Sequence, residues 1–460
     1  MKVLTKSQLD QLKSIYDESQ ITQNPSELAT HARDESAHGE FHPDVVIYPQ
    51  SRDEIVNAVK FCDQHNIPIV PWGAGTSLEA NPVAVHGGIS LDLSKMDQIV
   101  DIRPQDFQVT VQPGVVLQNL NKALSKHGLF FPPDPGAPCT IGGMVANNAA
   151  GIQAVKYGAT KHYVIKMEVV LASGEVITCG SNAMRTSSGY DLLHLFVGSE
   201  GTLGIFTEIT LKLAGIPPDV SAATASFPDM QSATKTVVEL TQAGLSAAAL
   251  EIMDPVTVRD INMFKGLELQ EVPTLFLEFV GTKTAVSEDV KLAQEICAGN
   301  GCTDYGIAMG REERDRLWEA RHHAFYASAA ANPGMLALVL DVAVAISKFP
   351  ELVDHARKVL AKYELGGPIL GHAGDGNFHV GIFYKNEPDQ KAKAHAANDE
   401  IVHRALEMGG TATGEHGVGI GKIPYMEREH GTSYQLMKQI KHLFDPKGIL
   451  NPGKIFESSR

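Results

Sequence analysis

The sequence predicts an α+β protein of more than one domain, and three observations predict it. Its 460 residues exceed what one ordinary core organises. A β-α-β pattern fills the stretch from Val45 to Val70. After residue 218 the texture changes to strands and helices in alternation, the pattern of an α+β domain with an antiparallel sheet.

Taken in order, residues 1–40 read as a polar, helical N-terminal extension packed on the body. A first domain spans 41–217. Val45-Val46-Ile47-Tyr48 is a short buried strand. Ser51 with Glu54 makes a capping box ahead of a helix carrying Ile55, Val56, Val59 and Phe61. Ile67-Pro68-Ile69-Val70 is the next strand, reached by a right-handed parallel crossover. Further strands are expected near Ile89–Leu93, Gln108–Val111, Ile165–Leu171 and Ile209–Leu213, with Glu175–Thr178 closing a hairpin after Ser173-Gly174. Gly215-Ile216-Pro217-Pro218 reads as a linker. The second domain, 218–425, opens with a strand at Ala223–Phe227 and a helix from Met230 to Ala243. Strands near Ala248–Ile252 and Thr274–Phe279 and a helix from Ala285 to Gly299 follow. Residues 426–460 form a C-terminal segment with an amphipathic helix at Met437–Phe444.

Hydrophobic content of 43% and charged content of 20% fit a soluble globular enzyme. The net charge of −15 argues against nucleic acid or an anionic membrane as partner. An anionic substrate therefore needs a local positive site. The five cysteines are scattered, and Cys297 and Cys302 lack a second pair to complete a zinc or iron–sulfur site. The N-terminus has no apolar signal core, and no run is long enough to span a bilayer. The expected location is the cytoplasm, with peripheral association at the inner membrane left open.

The densest chemistry lies in Gly371-His372-Ala373-Gly374-Asp375-Gly376-Asn377-Phe378-His379 and Thr413-Gly414-Glu415-His416-Gly417. Asp375-Gly376 has the composition of a two-residue hairpin turn. Such a turn sets His372 directly across from His379, with β-carbons about 5 Å apart, so that both imidazoles can share one ion. Glu415 adds a hard oxygen ligand. Two His and one carboxylate, with positions left open, make a catalytic rather than structural metal pattern, and zinc, manganese and iron(II) all accept it. His416 is then a candidate base beside the metal.

Three segments rich in glycine and small residues stand upstream. Pro71-Trp72-Gly73-Ala74-Gly75-Thr76-Ser77 leaves a strand directly, so its amides and hydroxyls can approach a diphosphate. It is not the Rossmann fingerprint, since Leu78 stands where the third glycine would be. The second runs from Phe131-Pro132-Pro133-Asp134-Pro135-Gly136 into Thr140–Gly151, and the third is Gly198–Ile205. Each is a place where backbone must lie close against something flat or charged.

These segments resemble the FAD-binding domain of the vanillyl-alcohol oxidase/p-cresol methylhydroxylase superfamily, and the tail Gly448–Lys454 resembles its C-terminal return to the flavin. With the metal segments and Leu317-Trp318-Glu319-Ala320-Arg321-His322, the resemblance narrows to FAD-linked D-2-hydroxyacid dehydrogenases, in the D-lactate dehydrogenase (cytochrome) and glycolate oxidase flavoprotein branch. It covers nearly all of residues 40–456. It implies a two-subdomain FAD-binding domain plus an α+β cap domain with an antiparallel sheet. It sets Pro71, Trp72, Gly73, Ala74, Gly75, Thr76 and Ser77 on the FAD pyrophosphate. Pro135, Gly136, Thr140, Gly142, Gly143, Asn148 and Gly151 would line the cofactor, Gly204 and Ile205 its adenine half, and Asn451 belongs to the returning tail. It makes His372, His379 and Glu415 the ligands of a divalent metal, His416 the base and Arg321 the clamp on the substrate carboxylate. A planar guanidinium suits that bidentate task.

Some residues depart from the family pattern. Ala80 replaces a glycine common in relatives. No His occupies the pyrophosphate loop, and Cys139 is weak ground for a flavin link, so non-covalent FAD is expected. Leu338-Val339-Leu340-Asp341 lacks the lysine of 2-hydroxyglutarate-type relatives, which tilts the substrate towards a small monocarboxylate such as D-lactate. The expected reaction gives the 2-oxo acid, with hydride to flavin N5. Electrons would pass to a cytochrome, quinone or electron-transfer flavoprotein, since there is no NAD motif. A homodimer is compatible with the sequence. Four other readings stay open: the flavin subunit of a glycolate-oxidising complex, a D-2-hydroxyglutarate-type enzyme, a non-redox FAD-dependent transferase, and a binding protein without catalysis. Metal dependence separates the transferase from the rest.

Overall fold

The computed structural model describes residues 4–266, 268–309 and 311–457. The first three residues of the N-terminal extension and the last three of the C-terminal segment lie outside them. Contacts divide the chain into two units. One holds Met1–Ala149, Ala159–Ile216 and Glu415–Arg460, and the other Ala150–Gly158 and Pro217–Gly414.

In the first unit the β-α-β stretch folds much as expected. Val45–Ile47 leads through the helix Arg52–His65 to Ile69–Trp72. The strand Ile89–Asp92 is inserted between them and runs parallel to both. Ile55, Ala58 and Val59 of the helix are buried with Val45, Ile47, Ile69, Ile89 and Leu91, so one apolar helix stripe covers one sheet face. Ser51 caps the helix by accepting from the Glu54 amide. Glu54 does not complete the box, because its carboxylate takes the Gln50 amide and the Gln20 side chain instead.

A second sheet of this unit is antiparallel, in the order Ile99–Arg103, Gln108–Val111, Ile205–Lys212, Val164–Val170, Val176–Gly180. The hairpin after Ser173-Gly174 is formed, with Val170 facing Val176 and Gly174 at φ +78°.

The second unit is built on seven strands, every pairing antiparallel. Their order is Asp304–Met309, Asp219–Ser226, Thr274–Gly281, Ala247–Met253, Ile369–Gly371, Asn377–Tyr384, Leu336–Ala343. The helices Met230–Gln242, Lys283–Gly299, Phe349–Lys362 and Pro388–Glu407 pack on one another and on this sheet. Each residue of the strand Asn377–Tyr384 is buried, so polar side chains on it must find partners inside the protein. That requirement positions the chemistry. Among the described residues no helix is long and apolar enough to cross a membrane.

Candidate active site

His372 and His379 lie on the hairpin formed by Ile369–Gly371 and Asn377–Tyr384. The expected two-residue turn at Asp375-Gly376 is not there. Ile369 faces Val380 and Leu370 faces His379, so the pairing runs on to set His372 beside Asn377. Ala373–Asp375 make a 3-10 turn, closed by Gly376 at φ +80°. The register therefore differs by two residues from the expected one. Side chains alternate with period two, and a slip of two keeps each on its face. The two imidazoles still meet, with ring centroids 5.4 Å apart and planes at 85°.

Each imidazole is backed by a carboxylate on the strand next to its own. Asp341 is the direct cross-strand partner of His379, and its Oδ1 lies 3.5 Å from His379 Nδ1. On the other side, Ile252 pairs with Gly371, which brings Glu251 beside His372. His372 Nδ1 is 2.7 Å from Glu251 Oε1. Three strands and the residue just after a fourth thus carry a row of carboxylate, imidazole, imidazole, carboxylate. Glu251 and Asp341 are fully buried.

Burial pushes the Glu251 carboxyl up, but the charges of His372 and Arg321 and the hydrogen bonds they make pull harder, and it ends below its ordinary value. Glu251 accepts a hydrogen bond from His372 Nδ1, which turns the opposite ring nitrogen, Nε2, away from the acid. This is the arrangement that orients a metal-ligating histidine. Asp341 has a second task. It accepts from the Asn377 amide at 2.7 Å, the Thr413 hydroxyl at 2.9 Å and the Gly414 N–H at 2.8 Å. The chain is pinned there, one residue before Glu415.

Arg321 ends the helix Arg311–His322 and is buried. It is not a surface ion pair. Its Nε and Nη2 both reach Glu251 Oε2, at 2.8 Å and 2.6 Å. Glu251 therefore joins Arg321 to His372. Neither Glu251 nor Asp341 was singled out for the site from the sequence. The signal was there in both: an acid inside an otherwise apolar strand needs a buried partner.

Glu415 and His416 belong to the first unit, with the glycine-rich segments. There the carbonyl of His416 accepts from the amides of Asn147 and Asn81, at 3.3 Å and 3.4 Å. The three segments converge. A Cβ on Gly73 would lie 2.5 Å from the Thr140 hydroxyl, and one on Gly201 would strike the Pro71 ring. Gly198 N–H donates to Val145 and Glu200 N–H to Ala146, both at 2.9 Å. Gly142 packs on Pro113, Gly204 on Val169, and Gly75, at φ +71°, on the Trp72 indole. These glycines let segment meet segment. Among the described residues none accepts from the amides of Ala74, Gly75, Thr76 or Ser77. Gly143 is exposed on the helix Ile141–Asn147, which Thr140 caps and Asn148 ends at φ +53°. Backbone donors and a side-chain-free helix turn left open in this way fit a flat, anionic cofactor.

The other expected cofactor residues are placed as follows. Pro135 is half-buried, Gly136 is exposed at φ +75°, and Ile205 starts its strand. Gly151 belongs to the second unit. Asn451 is buried and gives its side-chain amide to the carbonyls of Asn81 and Glu200. Burial pushes the Cys139 thiol up to about 12.

The FAD binding domain family matches residues 43–180, and the family described as FAD linked oxidases, C-terminal domain, matches residues 216–455. The probable mitochondrial D-lactate dehydrogenase of Danio rerio is 43% identical over 93% of this chain and 87% of its own. The mitochondrial D-lactate dehydrogenase [cytochrome] of Arabidopsis thaliana is 39% identical over 99% of this chain and 81% of its own. Glycolate oxidase subunit GlcD of Bacillus subtilis (strain 168) is 38% identical over 90% and 89%. The solved 4-ethylphenol oxidase of Gulosibacter chungangensis shares the fold, with a TM-score of 0.81, 16% identity and 99% of each chain covered.

Proposed function

Since the chain belongs to the FAD-linked D-2-hydroxyacid dehydrogenases, in the D-lactate dehydrogenase (cytochrome) and glycolate oxidase branch, we propose that it oxidises D-lactate to the 2-oxo acid with a divalent metal at His372, His379 and Glu415. The observation that carries the metal is the row in which Glu251 and Asp341 back the two imidazoles. Zinc, manganese and iron(II) all suit two imidazoles and a carboxylate.

FAD, when bound, supplies the two-electron acceptor at N5. A divalent ion supplies Lewis acidity towards the substrate hydroxyl. Ala74, Gly75, Thr76 and Ser77 would hold the cofactor through backbone N–H donors, with Pro71 to Gly73 leading into that loop and the exposed Gly143 turn lying against it. His416 takes the hydroxyl proton as hydride leaves the α-carbon. Arg321, paired with Glu251, offers its remaining guanidinium face to the substrate carboxylate and keeps His372 aligned through the shared acid. The high Cys139 thiol pKa supports FAD held without a covalent bond. The acceptor of the electrons is a cytochrome, after the printed name of the Arabidopsis relative.

The test is the flavin spectrum of the purified protein under anaerobic conditions, with D-lactate and then L-lactate added. Bleaching by D-lactate alone is expected. A spectrum that neither isomer changes, with flavin and metal both present, would overturn the substrate reading. A second reading, favoured by the GlcD relative, makes the chain the flavin subunit of a glycolate-oxidising complex. Bleaching by glycolate and co-purification with an iron–sulfur protein would mark it.

A further inference from the structure

Glu200 stands in the third glycine-rich segment, is almost wholly buried, and holds a left-handed backbone at φ +52°. A non-glycine residue pays for that conformation, and such positions persist where the surroundings over-determine them. Here the surroundings are four pieces of chain. The Glu200 amide donates to Ala146, in the second segment. Its carbonyl accepts from Asn451 at 2.7 Å. Its carboxylate accepts from the amides of Val418 at 2.6 Å and Gly419 at 2.8 Å, and from the Asn81 side chain at 2.7 Å.

Val418 and Gly419 follow His416 by two and three residues. The Asn81 amide that bonds Glu200 is also within 3.4 Å of the His416 carbonyl, and Asn147, next to the Ala146 that Glu200 holds, reaches that carbonyl at 3.3 Å. Space confirms the fit: a Cβ on Gly417 would lie 2.8 Å from Asn81 and 3.0 Å from Glu200. A buried carboxylate with three N–H donors is a strong and directional anchor.

We propose that Glu200 is a positioning residue for His416: it clamps the Val418-Gly419 backbone to the cofactor-binding segments and so sets where the imidazole is carried. This rests on the reading of His416 as the base. The clamp makes the geometry of the base depend on the same segments that hold the flavin. Glutamine at 200 keeps the shape but turns an N–H donor towards an N–H donor.

The test compares Glu200→Gln, Asn147→Ala and His416→Ala as purified holoproteins. For Glu200→Gln we expect normal FAD content and spectrum, and KM for D-lactate unchanged. The rate of flavin reduction should fall about 100-fold, the loss that misplacing a reacting group by about 1 Å brings. Hydrogen exchange at the Val418 and Gly419 amides should accelerate. Asn147→Ala, which removes one neutral hydrogen bond to the His416 carbonyl, should slow reduction about 5-fold. Wild-type reduction in Glu200→Gln beside a dead His416→Ala overturns the clamp alone. Wild-type reduction in His416→Ala overturns the base reading on which it rests. If Glu200→Gln loses FAD or does not fold and Asn147→Ala reduces normally, Glu200 is a strut of the fold and the proposal is wrong.

Discussion

Glu251 Oε1 and His372 Nδ1 lie 2.7 Å apart inside the seven-stranded sheet, and the other oxygen of the same carboxylate takes two nitrogens of Arg321. One buried acid thus orients an imidazole and neutralises a guanidinium. Glu251→Gln keeps the volume but removes the charge that fixes the His372 tautomer. Metal affinity or turnover should fall about 10–100-fold, the usual effect of losing a carboxylate behind a ligating histidine. Isothermal titration of the apoprotein with zinc or manganese would read it, and unchanged affinity and turnover would refute the orienting role.

Arg321→Met leaves Glu251 buried without the guanidinium that holds its Oε2. Removing one partner of a buried pair costs about 3–5 kcal/mol. Thermal unfolding should therefore show a large loss of stability, besides any effect on KM for D-lactate. Little change in stability would mean that Glu251 does not depend on Arg321.

Gly414 is needed for close approach rather than for its backbone angle. A Cβ there would run into the Asn377 amide and stand 3.0 Å from Asp341 Oδ1. Gly414→Ala should displace the stretch that Asp341 pins ahead of Glu415, at about 1–3 kcal/mol of overpacking. Weaker metal binding with FAD content retained is the expected result. Metal binding at wild-type strength would show that this stretch does not position Glu415.

Removal of the metal should separate the two cofactors. Dialysis against a chelator is expected to abolish flavin bleaching by D-lactate while the yellow colour stays with the protein, and readdition of one divalent ion restores it. Full bleaching after chelation would end the metal reading.

Burial pushes the Lys454 ammonium down to about 7, against the opposing pull of Glu200 and Asp34. The unfolded lysine titrates near ~10.4. Between these values the unfolded chain binds more protons, so stability rises with pH across that window and the cost of the buried charge is greatest below about 7. Thermal unfolding from pH 7 to 9 should show this rise, and Lys454→Met should flatten it. An equal slope in both proteins would show that Lys454 keeps an ordinary pKa.

Much of this protein was legible in the chain itself. The β-α-β run and the antiparallel strands of the second unit follow from periodicity; the glycine segments were read as close approaches, but not as approaches to one another. Those signals are local. His372 and His379 could be paired because both lie within one hairpin, and even a register error of two left them on the same face. What the sequence could not determine was which distant residues stand behind them. Glu251 precedes His372 by 121 positions and Asp341 precedes Gly414 by 73. Their alignment depends on strand order in the sheet, which no local pattern encodes. The same holds for Glu200, whose carboxylate meets amides 218 and 219 residues away. Local residue type chose the chemistry, and tertiary packing decided which buried acids aim it, because an acid is tolerated inside only where distant donors converge on it.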